Sequence, residues 1–351
     1  MGCVIMKNYH TEFKFNLFVL GPLHIGSGKK YTKKEYIYEN EKYYFPYMGE
    51  LYLKIRNNEK LSKEFIEFMS EKNTGYRTTP LKEFLSKNNI NDRDFGGYSI
   101  AELGYEFEKK QGSRNWNNVR NDSSRNLNEI VAFVKDEFGN PYIPGSSLKG
   151  AIRTILVNEE FKTDDVPWKD GDNIFNEIRV SDSKPISVDN LTLVQKWDYN
   201  AKKNCSNSLP IWRESLKPLT RVEFTITTSS ERARKLIENL SHYAKNFYQR
   251  YKNKFLSAYP NSIIQKNIGC PIYLGAGSGL WTKVDYHHVR IDKIQEKSYK
   301  KMKMKGNGVL KLTRYKKVKI KTKDGKYIPL AKDVFYEMGK CGLSIKEVDV
   351  E

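Results

Sequence analysis

The chain has 351 residues, of which 38% are hydrophobic and 13% aromatic, so it can form a folded core and is not a disordered tail. It carries 61 Lys and Arg against 42 Asp and Glu, a net charge of +19 that favours polyanionic partners. The four cysteines form no CxxC pair, and no apolar run reaches the roughly 18 residues of a membrane span. We expect a cytoplasmic, reduced protein that needs no metal or other cofactor.

The positive charge is concentrated near the C-terminal end. Between 291 and 326 the sequence has fourteen Lys or Arg and only three acids. Tyr299, Gly306, Gly308 and Tyr315 interrupt the lysines, which suits a groove that follows a sugar-phosphate backbone. A solvated lysine-rich face explains the charge run equally well.

The first part of the chain predicts strands and two helices. Apolar residues alternate with polar ones from 12 to 20, which predicts a half-buried strand, and the glycine-rich stretch Gly21–Lys30 predicts a loop. Residues 36–45 predict a hairpin. Apolar spacing predicts helices at 61–69 and 81–85.

The middle of the chain predicts loops and then a capped helix. Residues 88–127 are rich in Gly and Asn, which indicates loops, and a helix is predicted for 127–138. After Pro144 and Gly145, either Ser146 or Ser147 is expected to cap a helix. Strands are predicted at 178–180 and 191–197.

The second half predicts a similar series of elements after a junction near 210–218. A strand at 219–227 precedes one long helix to about Phe255, capped by a residue of 228–230. A hairpin is predicted around Asp324-Gly325, and a last strand at 343–348.

This order of elements predicts an α+β fold with two tandem ferredoxin-like, RRM-like domains. The first would comprise 1–212 with a long insertion at about 40–140, and the second 213–351. No repeat is visible between individual residues, so the duplication is inferred from the order of elements alone.

Two glycine-rich segments are candidate phosphate sites. Gly26–Lys30 combines open backbone amides with two lysines, and Gly275–Gly279 is followed by Trp281 and Lys283. Neither has the spacing of a nucleotide-binding P-loop. A plain tight turn is the alternative for each.

The N-terminus of the predicted central helix is a third candidate. Its hydroxyls, open amides and Lys149 suit a phosphate, and Arg153 lies on the same helical face. Ordinary capping is the alternative explanation.

A catalytic alternative uses His24. Beside the basic Gly26–Lys30 segment it could act as the base of a metal-independent endoribonuclease, with Lys29 or Lys30 stabilising the transition state. A histidine in a glycine-rich turn is more often structural, so we assign no catalytic residue. The residues predicted to bind RNA are His24, Gly26, Ser27, Gly28, Lys29, Lys30, Ser146, Ser147, Lys149, Arg153, Gly275, Gly277, Ser278, Gly279 and Lys283.

Several runs of residues together resemble one known family. They are Leu23-His24-Ile25-Gly26-Ser27-Gly28, Phe95-Gly96-Gly97-Tyr98-Ser99-Ile100, Tyr142-Ile143-Pro144-Gly145-Ser146-Ser147-Leu148-Lys149-Gly150, Arg179-Val180-Ser181-Asp182-Ser183-Lys184-Pro185, Val194-Gln195-Lys196-Trp197-Asp198-Tyr199 and Tyr273-Leu274-Gly275-Ala276-Gly277-Ser278-Gly279. Over nearly the whole chain they resemble the RAMP superfamily of CRISPR proteins, and within it the fifth-subunit family of type III-A Csm effectors.

The resemblance implies tandem RRM-like domains that cap the filament of repeated backbone subunits. Such a subunit would hold the 3′ part of the CRISPR RNA and support its maturation. Its partners would be CRISPR RNA and chiefly the repeated backbone subunit, with the small subunit and host nucleases as further candidates. The segment from Lys29 to Glu39 has no aspartate, in contrast to backbone subunits that cut target RNA. A cap that bridges proteins with little RNA contact is a third reading.

Overall fold

The computed structural model describes residues 10–71, 79–103, 127–161, 173–200, 205–287, 292–293, 296, 308–316, 319–321, 327–329 and 334–348. The strands are β1 (Thr11–Val19), β2 (Gly26–Thr32), β3 (Ile37–Glu39), β4 (Lys42–Phe45), β5 (Tyr98–Ala101), β6 (Glu129–Phe133), β7 (Ile178–Val180), β8 (Leu191–Asn200), β9 (Cys205–Leu216), β10 (Arg221–Thr228), β11 (Cys270–Tyr273), β12 (Leu310–Lys316), β13 (Lys319–Lys321), β14 (Tyr327–Pro329), β15 (Val334–Glu337) and β16 (Lys340–Val348). The helices are α1 (Met48–Ile55), α2 (Glu59–Ser70), α3 (Pro80–Lys87), α4 (Gly145–Glu159), α5 (Glu231–Glu238) and α6 (Leu240–Lys254). This mixture confirms the predicted α+β class.

The central sheet has five strands in the order β11-β16-β1-β10-β7, and each neighbouring pair is antiparallel. Along β1, Phe13, Phe15 and Leu17 are buried, while Lys14 is exposed. Because successive side chains of a strand point to opposite faces, one face of the sheet packs on the core. The strand predicted at 12–20 is confirmed.

Four strands of this sheet follow the chain path of one ferredoxin-like βαββαβ unit. The path runs through β1, α4, β7, β10, α5 with α6, and β16, and the strands lie in the order β16-β1-β10-β7. α4 packs against α6 and β7, and α6 also contacts β11 and β16. This is the split βαβ arrangement that the sequence predicted, formed here from both halves of the chain.

The predicted division into two tandem domains is not confirmed by this topology. β1 and β10 were expected to begin separate domains, but they are neighbours in one sheet, with Phe15 opposite Phe224. The proposed boundary between 212 and 213 lies inside β9. The division at that position stays a prediction.

A second sheet has six strands in the order β15-β12-β8-β9-β6-β2. β8 and β9 form its long hairpin, and β6 runs parallel to β9, with Ile130 opposite Trp212. Backbone hydrogen bonds between Leu23 and Leu216 tie the end of β9 to the segment that follows β1. The two sheets are therefore connected at the end of β1.

Residues 37–101 include a small unit between β2 and β6. Its three-stranded sheet has the order β3-β4-β5, and α1, α2 and α3 pack around a separate apolar cluster that includes Ile37, Leu51, Phe68 and Phe84. The predicted hairpin and both predicted helices in this region are confirmed. The unit overlaps the insertion predicted at about 40–140, of which residues 104–126 lie outside the described part.

Two predicted helices differ in the structure. The region 127–138 was wrongly predicted as a helix, because its apolar residues form β6 between β2 and β9. The single long helix is two helices, α5 and α6, separated at Asn239. The predicted cap is confirmed, since Ser230 Oγ accepts a hydrogen bond from Ala233 N at 3.1 Å. The turn Asp324-Gly325 lies outside the described residues, but β13 and β14 on either side of it are paired.

Separate expression of residues 1–212 and 213–351 tests the tandem division. We expect neither fragment to fold alone, because β1 would lose hydrogen-bonded neighbours on both sides. Circular dichroism and gel filtration of each fragment, with the full chain as the control, measure this. Two folded, monomeric fragments would contradict the expectation and support the division.

Candidate nucleic-acid interface

The three predicted phosphate-binding segments start at the same end of the central sheet, although Gly26–Lys30 itself belongs to β2, the edge strand of the second sheet. β1 and β7 are both antiparallel to β10, and β1 and β11 are both antiparallel to β16. The strands β1, β7 and β11 therefore run in the same direction. β1 leads to the 21–30 segment, β11 leads to Gly275–Gly279, and the first residue of α4 contacts the backbone at the end of β7. With about 4.8 Å between strands, the row spans about 19 Å from β11 to β7. Such a row suits an extended polymer.

Glycines hold the 21–30 segment and the Gly275–Gly279 segment together by direct backbone packing. A Cβ on Gly275 would overlap the carbonyl oxygen of His24, and one on Gly339 would overlap that of Leu274. Both glycines have positive φ, +70° and +71°. A Cβ on Gly21 would overlap the carbonyl oxygen of Glu337, the last residue of β15. Three backbone segments therefore meet where no other residue type fits.

The Gly26–Lys30 segment begins β2, so its prediction as a loop was wrong. All five residues are exposed, and the pairing of β2 with β6 shifts register between Gly26 and Lys30. At Gly28, φ is +85° and no heavy atom lies within 4 Å of a Cβ position. A bulge of this kind leaves part of the backbone outside the regular ladder. This segment keeps the open backbone that the sequence predicted.

The lysines of this segment are held only loosely. Lys30 Nζ lies 2.8 Å from a carboxylate oxygen of Glu129, and both side chains are 54% exposed. Lys29 lies 4.7 Å above the ring of Tyr31 and is 3.9 Å from Glu35. Exposed ion pairs stabilise a protein little, so these ammonium groups can exchange their partners for a phosphate at small cost.

The Gly275–Gly279 segment directs its polar side chains inward. Ser278 is buried and its hydroxyl donates to the carbonyl oxygen of Gly275 at 3.1 Å. Lys283 Nζ donates to the same oxygen at 2.8 Å, and burial lowers the pKa of Lys283. Gly277 and Gly279 are half-buried, with φ of +97° and +89°. The side chains close the loop, and its backbone at these glycines is the part that a ligand can reach.

The N-terminus of α4 is capped differently from the prediction. Neither Ser146 nor Ser147 caps the helix, which begins at Gly145. Asp182 Oδ1 accepts a hydrogen bond from Gly145 N at 2.7 Å. The expected serine cap was therefore wrong, and a carboxylate already compensates part of the positive helix end.

Cations remain beside this helix end. Lys149 is half-buried, and burial together with the nearby charge of Arg179 lowers the pKa of Lys149. The guanidinium of Arg153 lies 5.5 Å from the centre of the Phe175 ring. The predicted pair Lys149 and Arg153 thus gains Arg179, which the analysis of charge spacing did not single out.

His24 is a buried structural group. Its side chain is 1% exposed, and Nδ1 lies 2.6 Å from the carbonyl oxygen of Glu214, to which it must donate because a carbonyl only accepts. Burial lowers the pKa of His24 from 6.5 to about 4. The ring meets Phe133 edge-on at 6.2 Å. This geometry lends no support to a catalytic base, and a role of His24 in RNA binding stays a prediction.

Near His24, the buried carboxylate of Glu214 accepts hydrogen bonds from several parts of the chain. Glu214 is fully buried and accepts hydrogen bonds from Phe133 N at 2.8 Å, Lys135 Nζ at 2.5 Å and Tyr98 OH at 2.5 Å. It joins β9 to β6 and β5. No local pattern in the sequence indicates this network, because its members are 79 to 116 residues from Glu214.

Three cations that were not predicted from the sequence lie near the Gly275–Gly279 segment. Lys196 on β8, Arg213 on β9 and Lys311 on β12 surround the carboxylate of Asp198. The alternation of β8 could have placed Lys196 and Asp198 on one face. Arg213 lies on β9, where the sequence predicted a junction near 210–218 instead of a strand, and Lys311 lies on β12, 113 residues from Asp198.

Other kinds of site find no candidate in the described residues. Within those ranges, no three His, Cys, Asp or Glu side chains are arranged to hold a metal ion. Each of the described helices is too short or too polar to cross a membrane. Most of the lysine-rich run at 291–326 lies outside the described residues.

The buried His24 makes stability depend on pH. Because its pKa is lower in the folded chain, the unfolded chain binds more protons, so stability is complete above about pH 6.5 and falls towards pH 4. His24→Asn keeps a donor for the Glu214 carbonyl and removes the titration. Between pH 7 and 4 we expect the wild type to lose up to about 3 kcal/mol more than this variant. Urea unfolding at both pH values measures the difference, and equal losses would contradict it.

Alanine substitutions at two glycines with similar φ distinguish the cost of backbone strain from the cost of a steric overlap. Gly28→Ala should cost about 1–2 kcal/mol of unfolding free energy, from the left-handed backbone alone. Gly275→Ala has the same strain and also forces a Cβ onto the His24 carbonyl oxygen, which should add about 1–3 kcal/mol. Chemical denaturation of both variants provides the comparison. Equal losses would show that the backbone contact is not a constraint.

Comparison with known proteins assigns the family. A family model described as RAMP superfamily matches residues 17–337. A relative from Streptococcus thermophilus, described as CRISPR system Cms protein Csm5, is 45% identical over 98% of this chain and 100% of its own length.

Two solved structures share the fold. One is a chain of the cryo-EM structure of a Csm-crRNA-target RNA ternary complex in a type III-A CRISPR-Cas system, with a TM-score of 0.55 and 19% identity, covering 95% of this chain and 100% of that one. The crystal structure of T.onnurineus Csm5 has a TM-score of 0.53 and 16% identity, covering 93% and 99%. At such identities the likeness concerns the fold alone. The sequence match over the full length decides the matter: this chain belongs to the RAMP superfamily and, within it, to the Csm5 family of CRISPR proteins.

Proposed function

We propose that this chain is a non-catalytic, RNA-binding subunit of a type III-A Csm effector complex in antiviral defence. It would cap the filament of backbone subunits at the 3′ end of the CRISPR RNA and support maturation of that end. The observation that carries the proposal is the row of cations and glycine-opened backbone at one end of the central sheet, in a chain of net charge +19. The solved complex with a similar fold contains crRNA and target RNA.

Recognition would rest on phosphate and shape. Lys29, Lys30 and Arg153 are exposed cations, and Gly28 exposes its backbone without a neighbouring side chain. Such groups bind phosphodiester oxygens without reading base edges. Low sequence specificity and strong salt dependence follow from this chemistry.

The burial of His24 supports a binding role without catalysis. A base for RNA cleavage must reach the 2′-hydroxyl that it deprotonates, and the imidazole is 1% exposed with Nδ1 bound to a carbonyl. The partners we propose besides CRISPR RNA are chiefly the repeated backbone subunit, then the small subunit and host nucleases, in the cytoplasm. The tandem domains and the insertion at about 40–140 remain proposals of the same kind.

The salt dependence of RNA binding tests this function. We expect the affinity of the purified chain for a guide RNA, measured by fluorescence anisotropy, to fall steeply between about 50 and 200 mM salt. In the double variant Lys29→Gln, Lys30→Gln, the plot of log affinity against log salt should become less steep. Its negative slope should lose about 0.7 in magnitude for each phosphate that the variant no longer neutralises. Lys63→Gln, an exposed lysine on α2, is the control with the same kind of charge change.

A flat affinity over this salt range would contradict the proposal. In the same samples with EDTA, we expect the guide RNA to stay intact. Cleavage that disappears in His24→Asn would instead support the ribonuclease.

A further inference from the structure

We propose that Lys196, Arg213 and Lys311 form a pocket beneath Gly277–Gly279 that binds one phosphodiester group of the RNA. The proposal rests on the proposed RNA-binding function and deepens it, because it adds a defined phosphate site from three strands of the second sheet. None of these three cations belongs to the set predicted from the sequence.

Strand register puts the three cations on one face. Lys196 and Asp198 are two residues apart on β8 and therefore point to the same side. Lys311 on β12 lies opposite Asp198, and Arg213 on β9 lies opposite Val194, next to a register shift between Gln195 and Trp197. The charges of Lys311, Asp198 and Arg213 all act on Lys196. Three neighbouring strands thus contribute one basic side chain each.

One carboxylate cannot compensate three cations. Lys311 Nζ binds both Asp198 oxygens at 3.0 Å, and Lys196 Nζ lies 3.7 Å from Oδ1 of the same carboxylate. These side chains are only 16–21% exposed. Two positive charges therefore remain in excess in a half-buried cluster of the described residues. Water solvates such a cluster poorly, and an anionic ligand would stabilise it.

Arg213 carries an unused donor. Its Nη1 is buried and has no hydrogen-bond partner in the described structure. Burial lowers the pKa of Arg213, and burial is likewise the largest effect that lowers the pKa of Lys196. A buried guanidinium nitrogen without an acceptor costs stability, and a charged acceptor would recover that cost.

The part of the Gly275–Gly279 segment that lies next to Arg213 Nη1 is backbone and carries no side chain there. A Cβ on Gly277 would lie 3.2 Å from Arg213 Nη1, and one on Gly279 would lie 3.7 Å from Cγ of Lys311. Neither glycine adds a side chain beside the guanidinium, although the Met338 side chain packs against Gly277 and Nη1 itself is buried. A phosphodiester offers two anionic oxygens, which can accept from the planar guanidinium and from an ammonium together. Phosphate in an RNA backbone is thus the ligand that the charge and the donors fit.

Replacement of Arg213 separates a binding role from a structural one. Arg213→Met removes the charge and keeps an unbranched side chain. We expect RNA affinity to fall about tenfold or more and the salt slope to fall by about 0.7–1, while the melting temperature without RNA stays unchanged or rises. Because Nη1 has no hydrogen-bond partner to lose, we expect no decrease in the melting temperature.

Two further variants complete the test. Arg213→Lys keeps the charge and should restore most of the salt slope. Lys196→Gln leaves the Lys311–Asp198 pair in place and should weaken binding in the same direction. Lys63→Gln is again the control. The measurements are anisotropy with a guide RNA at several salt concentrations and thermal unfolding of the free chain.

The outcomes are distinct. Wild-type affinity and slope in both Arg213→Met and Lys196→Gln would overturn the pocket and leave RNA binding intact. A lower melting temperature for Arg213→Met, together with unchanged binding by Lys196→Gln, would make the guanidinium structural and also overturn it. No RNA binding by the wild type at any salt concentration would overturn the proposed function, and the pocket with it.

Discussion

Direct contact between backbone segments at Gly21, Gly275 and Gly339 is the constraint on which the proposed interface depends. At each of these positions a Cβ would overlap a carbonyl group of another segment. The contact brings the loop after β11 against the segment after β1 and over β9 and β12. Backbone packed this closely cannot slide without breaking hydrogen bonds, such as that from Ala276 N to the His24 carbonyl oxygen. The position of the loop is therefore fixed by the fold.

The cations at this end of the molecule have two different environments. Lys29 and Lys30 are exposed and weakly paired, so under the proposed function they would attract RNA over a distance and hold it without fixed geometry. Lys196, Arg213 and Lys311 are half-buried and held by strand register. A site of the second kind has given up part of its hydration before the ligand arrives. Such a site can fix where the RNA backbone runs, whereas the exposed lysines only raise the local concentration of RNA.

Local features of the sequence predicted local structure well. Alternation identified β1, and the hydroxyl residues at 228–230 marked the start of α5, where the structure selects Ser230 as the cap. The short apolar run of β6 was assigned to a helix, because such a run fits either element until its neighbours are known. The cap of α4 and the hydrogen-bonding network of Glu214 depend on partners at least 37 residues away. For the site, the sequence located the glycines and exposed lysines but not the cations that strand pairing assembles.

The strand order also has a consequence for how the protein is made. β1 leaves the ribosome well before its neighbours β10 and β16, which begin at Arg221 and Lys340. Both edges of this amphipathic strand therefore stay open until β10 has been made, and one edge stays open until β16 has been made. Pairings that span such long stretches of sequence form slowly, and unpaired strand edges favour aggregation. Production of this protein in cells should accordingly benefit from chaperones that shield a nascent chain, or from slower translation.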